Sequence, residues 1–323
     1  MKMEHFHLKL KKSSLPDRQS LASFKIALWT KIATTVAVLV FLSTICLNYF
    51  FPNLDYRINL LITGLIFVGM PHGALDVYIL KQILKTKQRF LIGLLIYIGV
   101  LIPIIILWPL YPTVCFLFFL GYSLIHFADS DMQDSASPAM IKAIEFLARV
   151  SLPFCLPFIF HQSETIEIVK WIQPQVNIMP FKSIFFFFGY VSLIFVAVYT
   201  VLRFLNSYKK LKDIELKSLE PLLISVLFIL INPLLAFGIY FCFIHSIKHV
   251  VNVLQNIKIN SPLTILPYWL IPLSGLPVLF YLYSANQDIL GERVFQYIII
   301  VLSSLALPHA LLIRFGKSKL MLK

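Results

Sequence analysis

The chain has 323 residues, 59% of them hydrophobic, 15% aromatic and only 13% charged, with a mean hydropathy of +0.84. A soluble globular domain carries about 25% charged residues, so this balance excludes one and leaves a polytopic membrane protein. The net charge of +13 calls for no nucleic-acid partner, because the basic residues collect between apolar runs, where they orient a membrane protein and attract anionic lipid.

Residues 1–30 are polar and basic and read as a cytoplasmic N-terminal tail that holds His5 and His7 in solvent. The first apolar run begins only near Ile32, late for a short cleavable signal, so a retained helix is expected. A membrane helix takes roughly 20 apolar residues to cross a hydrocarbon core about 30 Å thick. Runs of that kind fall near 33–51, 58–80, 90–109, 113–128, 139–160, 183–204, 219–234, 236–256, 264–284 and 294–313. The predicted fold is therefore an all-α transmembrane bundle of about ten helices. Its single transmembrane domain covers 31–316, and 317–323 forms a cytoplasmic C-terminal tail.

Charge tests this topology independently, because cytoplasmic loops carry excess Lys and Arg. One side receives the N-terminal basic residues, the loop Lys81, Lys85, Lys87 and Arg89, then Lys142, the loop from Arg203 to Lys217, Lys248, Lys258 and the C-terminal cluster from Arg314 to Lys323. The other keeps only Arg57, Lys170, Lys182 and Arg293, and Arg149 lies inside a run. Both termini are thus expected in the cytoplasm. The segment 161–182, with His161, Glu164, Glu167 and Trp171, reads as an interfacial stretch on the outer side. Cys46, Cys115, Cys155 and Cys242 all sit in apolar runs without paired spacing, which gives neither a disulfide framework nor a CxxC metal site.

Five of the eight histidines, His72, His126, His245, His249 and His309, lie inside the apolar runs, where an ionisable side chain is costly and usually functional. His245 and His249 stand four apart, so both rings leave one helix face about a turn apart, a two-ligand grip for a metal. Asp76 follows His72 by the same interval and can accept the far N–H of a liganding imidazole, fixing its tautomer. Asp131, or Asp129, is placed to do the same for His126, although the acidic stretch 129–134 also reads as a solvated turn. Pro71 and Pro308 each precede a histidine and can kink the helix so that the next side chain swings inward. His72 precedes Lys81 by nine positions, roughly 14 Å at the helical rise of about 1.5 Å per residue, and all five histidines fall in the cytoplasmic half. All-nitrogen ligation with an open position suits iron, zinc or copper, and spacing alone does not choose among them.

The strings Pro71-His72-Gly73-Ala74-Leu75-Asp76, His126-Phe127 followed by Asp131, His245-Ser246-Ile247-Lys248-His249 and Pro308-His309 together resemble one family, from about residue 60 to the C-terminus. It is the Brp/Blh-type β-carotene 15,15′-dioxygenases, integral membrane enzymes of bacteria. Ala128 stands where the family pattern has glycine after His-Phe. The resemblance implies ferrous iron held by His72, His126, His245 and His249, with Asp76, Asp131 and His309 as supporting partners. It implies dioxygen and β-carotene as substrates, retinal as product, a multi-pass place in the bacterial cytoplasmic (inner) membrane, and a functional link to a retinal-binding microbial rhodopsin.

Two other readings share some of these residues. An intramembrane metalloprotease finds pieces of its motifs in Glu145/Arg149 and Phe241/His245, but position 253 is Val253 where that class needs asparagine, and Ile144 replaces an acidic neighbour of Glu145. A non-enzymatic haem or metal-binding membrane protein also places histidines on several helices, yet it gives Asp76 no role. Membrane di-iron desaturases and hydroxylases need clustered histidine boxes plus carboxylates, and the five histidines inside the apolar runs are too few for them.

Overall fold

The computed structural model describes residues 49, 56–132, 138–207, 219–250, 266–270 and 290–321. The tail with His5 and His7, the run 33–51 apart from Tyr49, and most of the run 264–284 lie outside them. Every regular element among the described residues is helical.

In chain order these are α1 (Tyr56–Gly64), a π turn (Leu65–Gly69), α2 (Met70–Leu84), α3 (Lys87–Leu110), α4 (Pro112–Asp131), α5 (Ala139–Arg149), α6 (Leu152–Phe160), α7 (Gln162–Ile172) and α8 (Lys182–Ser207). Then come α9 (Glu220–Leu230), α10 (Pro233–Gly238), a second π turn (Ile239–Ser246), α11 (Leu266–Leu270) and α12 (Leu290–Met321). Among the described residues six helices are long and apolar enough to cross a membrane, or seven if α5 and α6, bent by 45°, are one broken span. The fold is a polytopic transmembrane helix bundle, as the composition implies.

The apolar runs map onto these elements with local differences that have plain causes. The run 139–160 breaks at Val150 and Ser151, where Pro153 enters the first turn of α6 and removes a helical donor. The segment 161–182 is more than a surface stretch: it contains α7, which packs against α6, α10 and α12. Asp131 is no solvated turn residue but the last residue of α4 and is only 2% exposed. The last helix continues as far as Met321, past the expected end of the domain at 316.

Lipid contact explains the outer faces. Along α3 the side chains of Leu91, Leu95, Ile102 and Ile106 stand exposed, and along α8 so do Ile184, Phe187, Ile194 and Val201. Apolar area on this scale is a liability in water and a solvent match in a bilayer.

Inside, the two π turns pack directly against each other. Close approach needs glycine here: a Cβ at Gly69 would lie 2.8 Å from Phe241 Cε1, and one at Gly64 would lie 3.0 Å from Cys242 Sγ. The first π turn ends just before Pro71, whose missing N–H already breaks the α-helical ladder. A π turn inserts a residue and rotates everything after it around the helix axis, which is why such turns concentrate at functional positions. Here both deliver a histidine into the bundle interior, His72 just after the first and His245 within the second.

Candidate metal centre

The five histidines of the apolar runs meet in the interior. The rings of His72, His245, His126 and His309 form a closed circuit with centroid separations of 5.8, 5.4, 5.0 and 5.1 Å taken in that order. His249 touches all four, at 4.9 Å from His309, 5.4 Å from His72, 6.3 Å from His245 and 6.4 Å from His126. His72, His245, His249 and His309 are each at most 6% exposed. Four separate stretches of chain contribute: α2, α4, the second π turn with the helical turn after it, and α12.

Hydrogen bonds fix which nitrogen of three rings faces inward. His245 donates from Nδ1 to Asp131 Oδ1 at 3.0 Å, and Tyr240 donates its hydroxyl to Asp131 Oδ2 at 2.7 Å. His309 donates from Nδ1 to Asp76 at 2.8 and 3.0 Å, and Tyr97 donates to Asp76 Oδ2 at 2.8 Å. Each buried carboxylate thus takes one tyrosine hydroxyl and one imidazole, in the same pattern on opposite sides of the circuit. At His72 the partner is Ser246, 3.2 Å from Nδ1. Ser246 gives its own proton to the Phe241 carbonyl at 2.8 Å, so its oxygen accepts and His72 Nδ1 carries the hydrogen. In all three rings Nε2 is left with its lone pair.

The fit of these residues to a metal rests on those lone pairs. Nε2 of His245, His249 and His309 is buried and has no hydrogen-bond partner, a state that costs about 1–3 kcal/mol per group unless something else satisfies it. An imidazole nitrogen binds a divalent metal at about 2.1 Å and the ring centre lies about 1.2 Å beyond, which puts rings around one ion about 4.7–6.6 Å apart for right-angled to opposite ligands. The measured separations of 4.9 to 6.4 Å fall in that interval. Among the described residues no group of three or more His, Cys, Asp or Glu side chains holds a metal-binding arrangement as it stands, so binding would require the rings to turn their nitrogens toward a common point. Cys115, Cys155 and Cys242 are buried free thiols outside the circuit, and the donor set is nitrogen alone.

Two partnerships differ from the expectation drawn from spacing. Asp76 does not serve His72, four residues back on its own helix, but reaches across to His309; Asp131 serves His245 and not His126. Tyr97, Tyr240 and Ser246 had no sequence signal of their own, since only the relative rotation of the helices brings them to these partners. His161 stands apart, its Nε2 3.0 Å from the Ile229 carbonyl. Glu145 is engaged by Arg149, which donates to it from Nε at 3.0 Å and lies 3.5 Å from Glu220; Lys248 pairs with Glu220 as well. The Glu145/Arg149 motif is therefore an ion pair rather than a catalytic acid beside the histidines. Five rings at this spacing also leave no room for a macrocycle between two facing ligands.

His72, His126 and His309 line an apolar cavity whose empty space, counted together with the open solvent at its mouth, is about 1270 Å³. Its walls are mainly aromatic and aliphatic, with Phe116, Phe127, Phe154 and Phe241 among them.

A family model described as beta-carotene 15,15'-dioxygenase matches residues 63–316. The chain belongs to that family. A protein of the same name from uncultured marine bacterium 66A03 is 29% identical over 260 residues, covering 77% of this chain and 90% of that protein. The matched span includes all five clustered histidines and both carboxylates that hold them. No solved structure matches the chain.

Proposed function

We propose that this carotenoid-cleaving family member cuts β-carotene at its central 15,15′ double bond with dioxygen to give two molecules of retinal. One carbon–carbon double bond breaks, two carbonyl bonds form, and both oxygen atoms of O2 end in the two aldehydes, so no further reductant is needed. The observation that carries this reading is the convergence of inward-facing imidazole nitrogens at the end of a deep, apolar cavity. A polar substrate finds almost no partner there, and a long hydrocarbon finds a matching wall.

His72, His126, His245 and His249 would hold ferrous iron, and His309 stands in the same circuit with its Nε2 directed the same way. The chemistry that bound iron supplies is activation of dioxygen beside the alkene. The protein keeps His245, His309 and His72 in the tautomer that offers Nε2, through Asp131, Asp76 and Ser246. Tyr240 and Tyr97 stabilise the two carboxylates in a region without water, and this keeps the carboxylates as acceptors. The aromatic walls orient the polyene and exclude water from the reacting bond. No side chain is required to move a proton, since the overall reaction transfers none.

The alternation of basic segments supports a place in the bacterial cytoplasmic (inner) membrane with both termini inside. A retinal-binding microbial rhodopsin is the corresponding client for the product. Expression in cells that accumulate β-carotene tests the reading: orange colour fades and retinal appears. Persistence of the carotene with the protein present in the membrane refutes it.

A further inference from the structure

α7 lines the part of the cavity remote from the histidines: just past its last residue the Gln175 carbonyl accepts from Thr113 in the first turn of α4, at the end of that helix away from His126. Thr165, Ile168, Val169 and Ile172 line the cavity, and their spacing of three, one and three puts them on one face of α7. Glu167 and Lys170 point away and are exposed. Thr165 gives its hydroxyl proton to the His161 carbonyl at 2.8 Å, which satisfies the polar group within α7 itself. The lining face is apolar, and Val169 and Ile172 are 4% and 7% exposed.

The depth of the cavity follows from two of its walls. On α4 the lining runs from Phe116 to His126, and on α12 from Ile299 to His309. Each is ten residues of helix, about 15 Å at 1.5 Å per residue. β-Carotene is about as long as the hydrocarbon core is thick, about 30 Å, so one half of it, from the central bond to the terminal ring, is also about 15 Å.

We propose that α7 is the end stop of a molecular ruler: the terminal ring abuts Thr165, Val169 and Ile172, and the distance from there to the histidine circuit selects the central double bond for cleavage. This rests on the carotene-cleaving reading above and adds what decides the position of the cut. A deeper stop lets the substrate slide inward, so that the metal meets an off-centre bond. A shallower stop pushes it outward with the same consequence in the other arm. Either way one aldehyde longer and one shorter than retinal must form together.

The test compares wild type with Val169→Ala/Ile172→Ala, which deepens the stop, and Val169→Phe, which raises it. Membranes of cells that accumulate β-carotene are extracted and their aldehydes separated by length, and iron content and detergent-solution monodispersity of each purified variant are measured in parallel. Wild type is expected to give retinal alone. Each variant that stays monodisperse and keeps its iron is expected to give paired longer and shorter aldehydes at a tenth or more of the total. Retinal as the sole product of both intact variants overturns the ruler while leaving carotene cleavage standing. If Val169→Phe does not fold, the deepened double variant decides alone. No aldehyde from wild type counts instead against the carotene reading itself.

Discussion

Asp131 offers the sharpest perturbation, because two substitutions there separate charge from hydrogen bonding. Its carboxylate accepts from His245 Nδ1 at 3.0 Å and from the Tyr240 hydroxyl at 2.7 Å, at 2% exposure. In Asp131→Asn the amide oxygen still accepts from His245, and the amide nitrogen donates to a Tyr240 hydroxyl that turns to receive it. What is lost is the charge-assisted part of the bond, about 1–1.5 kcal/mol, or about tenfold in metal affinity. In Asp131→Ala both the imidazole N–H and the tyrosine hydroxyl are stranded without water, at about 1–3 kcal/mol each. That adds to about 2–6 kcal/mol and releases His245 to turn in its pocket. Competition against a chelator of known iron affinity, with retinal formation measured on the same samples, is expected to rank wild type, Asn and Ala in falling order, with Asn near one tenth of wild type. Equal iron affinity in all three proteins would refute the assignment of Asp131 to His245.

Replacing His72, His126, His245 or His249 by Ala is expected to abolish retinal formation and lower bound iron. His161→Ala is expected to keep both, because its ring meets a backbone carbonyl far from the circuit; metal analysis beside an activity assay separates the two groups. Gly69→Ala forces a methyl to within 2.8 Å of Phe241, whereas Gly73→Ala meets nothing within 4 Å. Only the Gly69 change is expected to lower Tm, since Gly73 lines open cavity space. Arg149→Met leaves Glu145 buried without its cation while Glu220 keeps Lys248, a loss of about 3–5 kcal/mol when one partner of a buried pair is removed. It is expected to reduce the yield of monodisperse protein from detergent extracts, and unchanged yield would count against a structural role for this network.

The fold was legible because lipid leaves so few choices. A stretch of about 20 apolar residues must be a helix that satisfies its own backbone, and the described helices long enough to span sit where those stretches lie, while α7 falls outside them and the run 219–234 holds only the 11-residue α9. What spacing hid was rotation about each helix axis. Asp76 shares a helix face with His72 in an unbroken α-helix count, yet its carboxylate faces His309, while His72 turns its Nδ1 to Ser246. His72 and Asp76 lie in one regular helix, so counting placed them on one face but did not say which neighbours that face meets; the π turns before His72 and around His245 rotate these helices relative to what precedes them. The histidine cluster itself was visible from shared depth, because that depends on rise along the axis and not on rotation. The pattern Thr165, Ile168, Val169, Ile172 was also present in the sequence, but beside Glu164, Glu167 and Trp171 it read as a surface segment, and only its packing against α6 and α12 shows what the apolar face covers.

The most direct test of the central claim is X-ray absorption at the iron edge, together with metal content, on protein purified without oxygen from iron-replete cells. The account expects about one iron per chain, nitrogen scatterers at imidazole distance and no sulfur, with the signal lost in His245→Ala. A protein that purifies folded and active in carotene cleavage without bound iron, or whose iron is held by sulfur or a porphyrin, would contradict it.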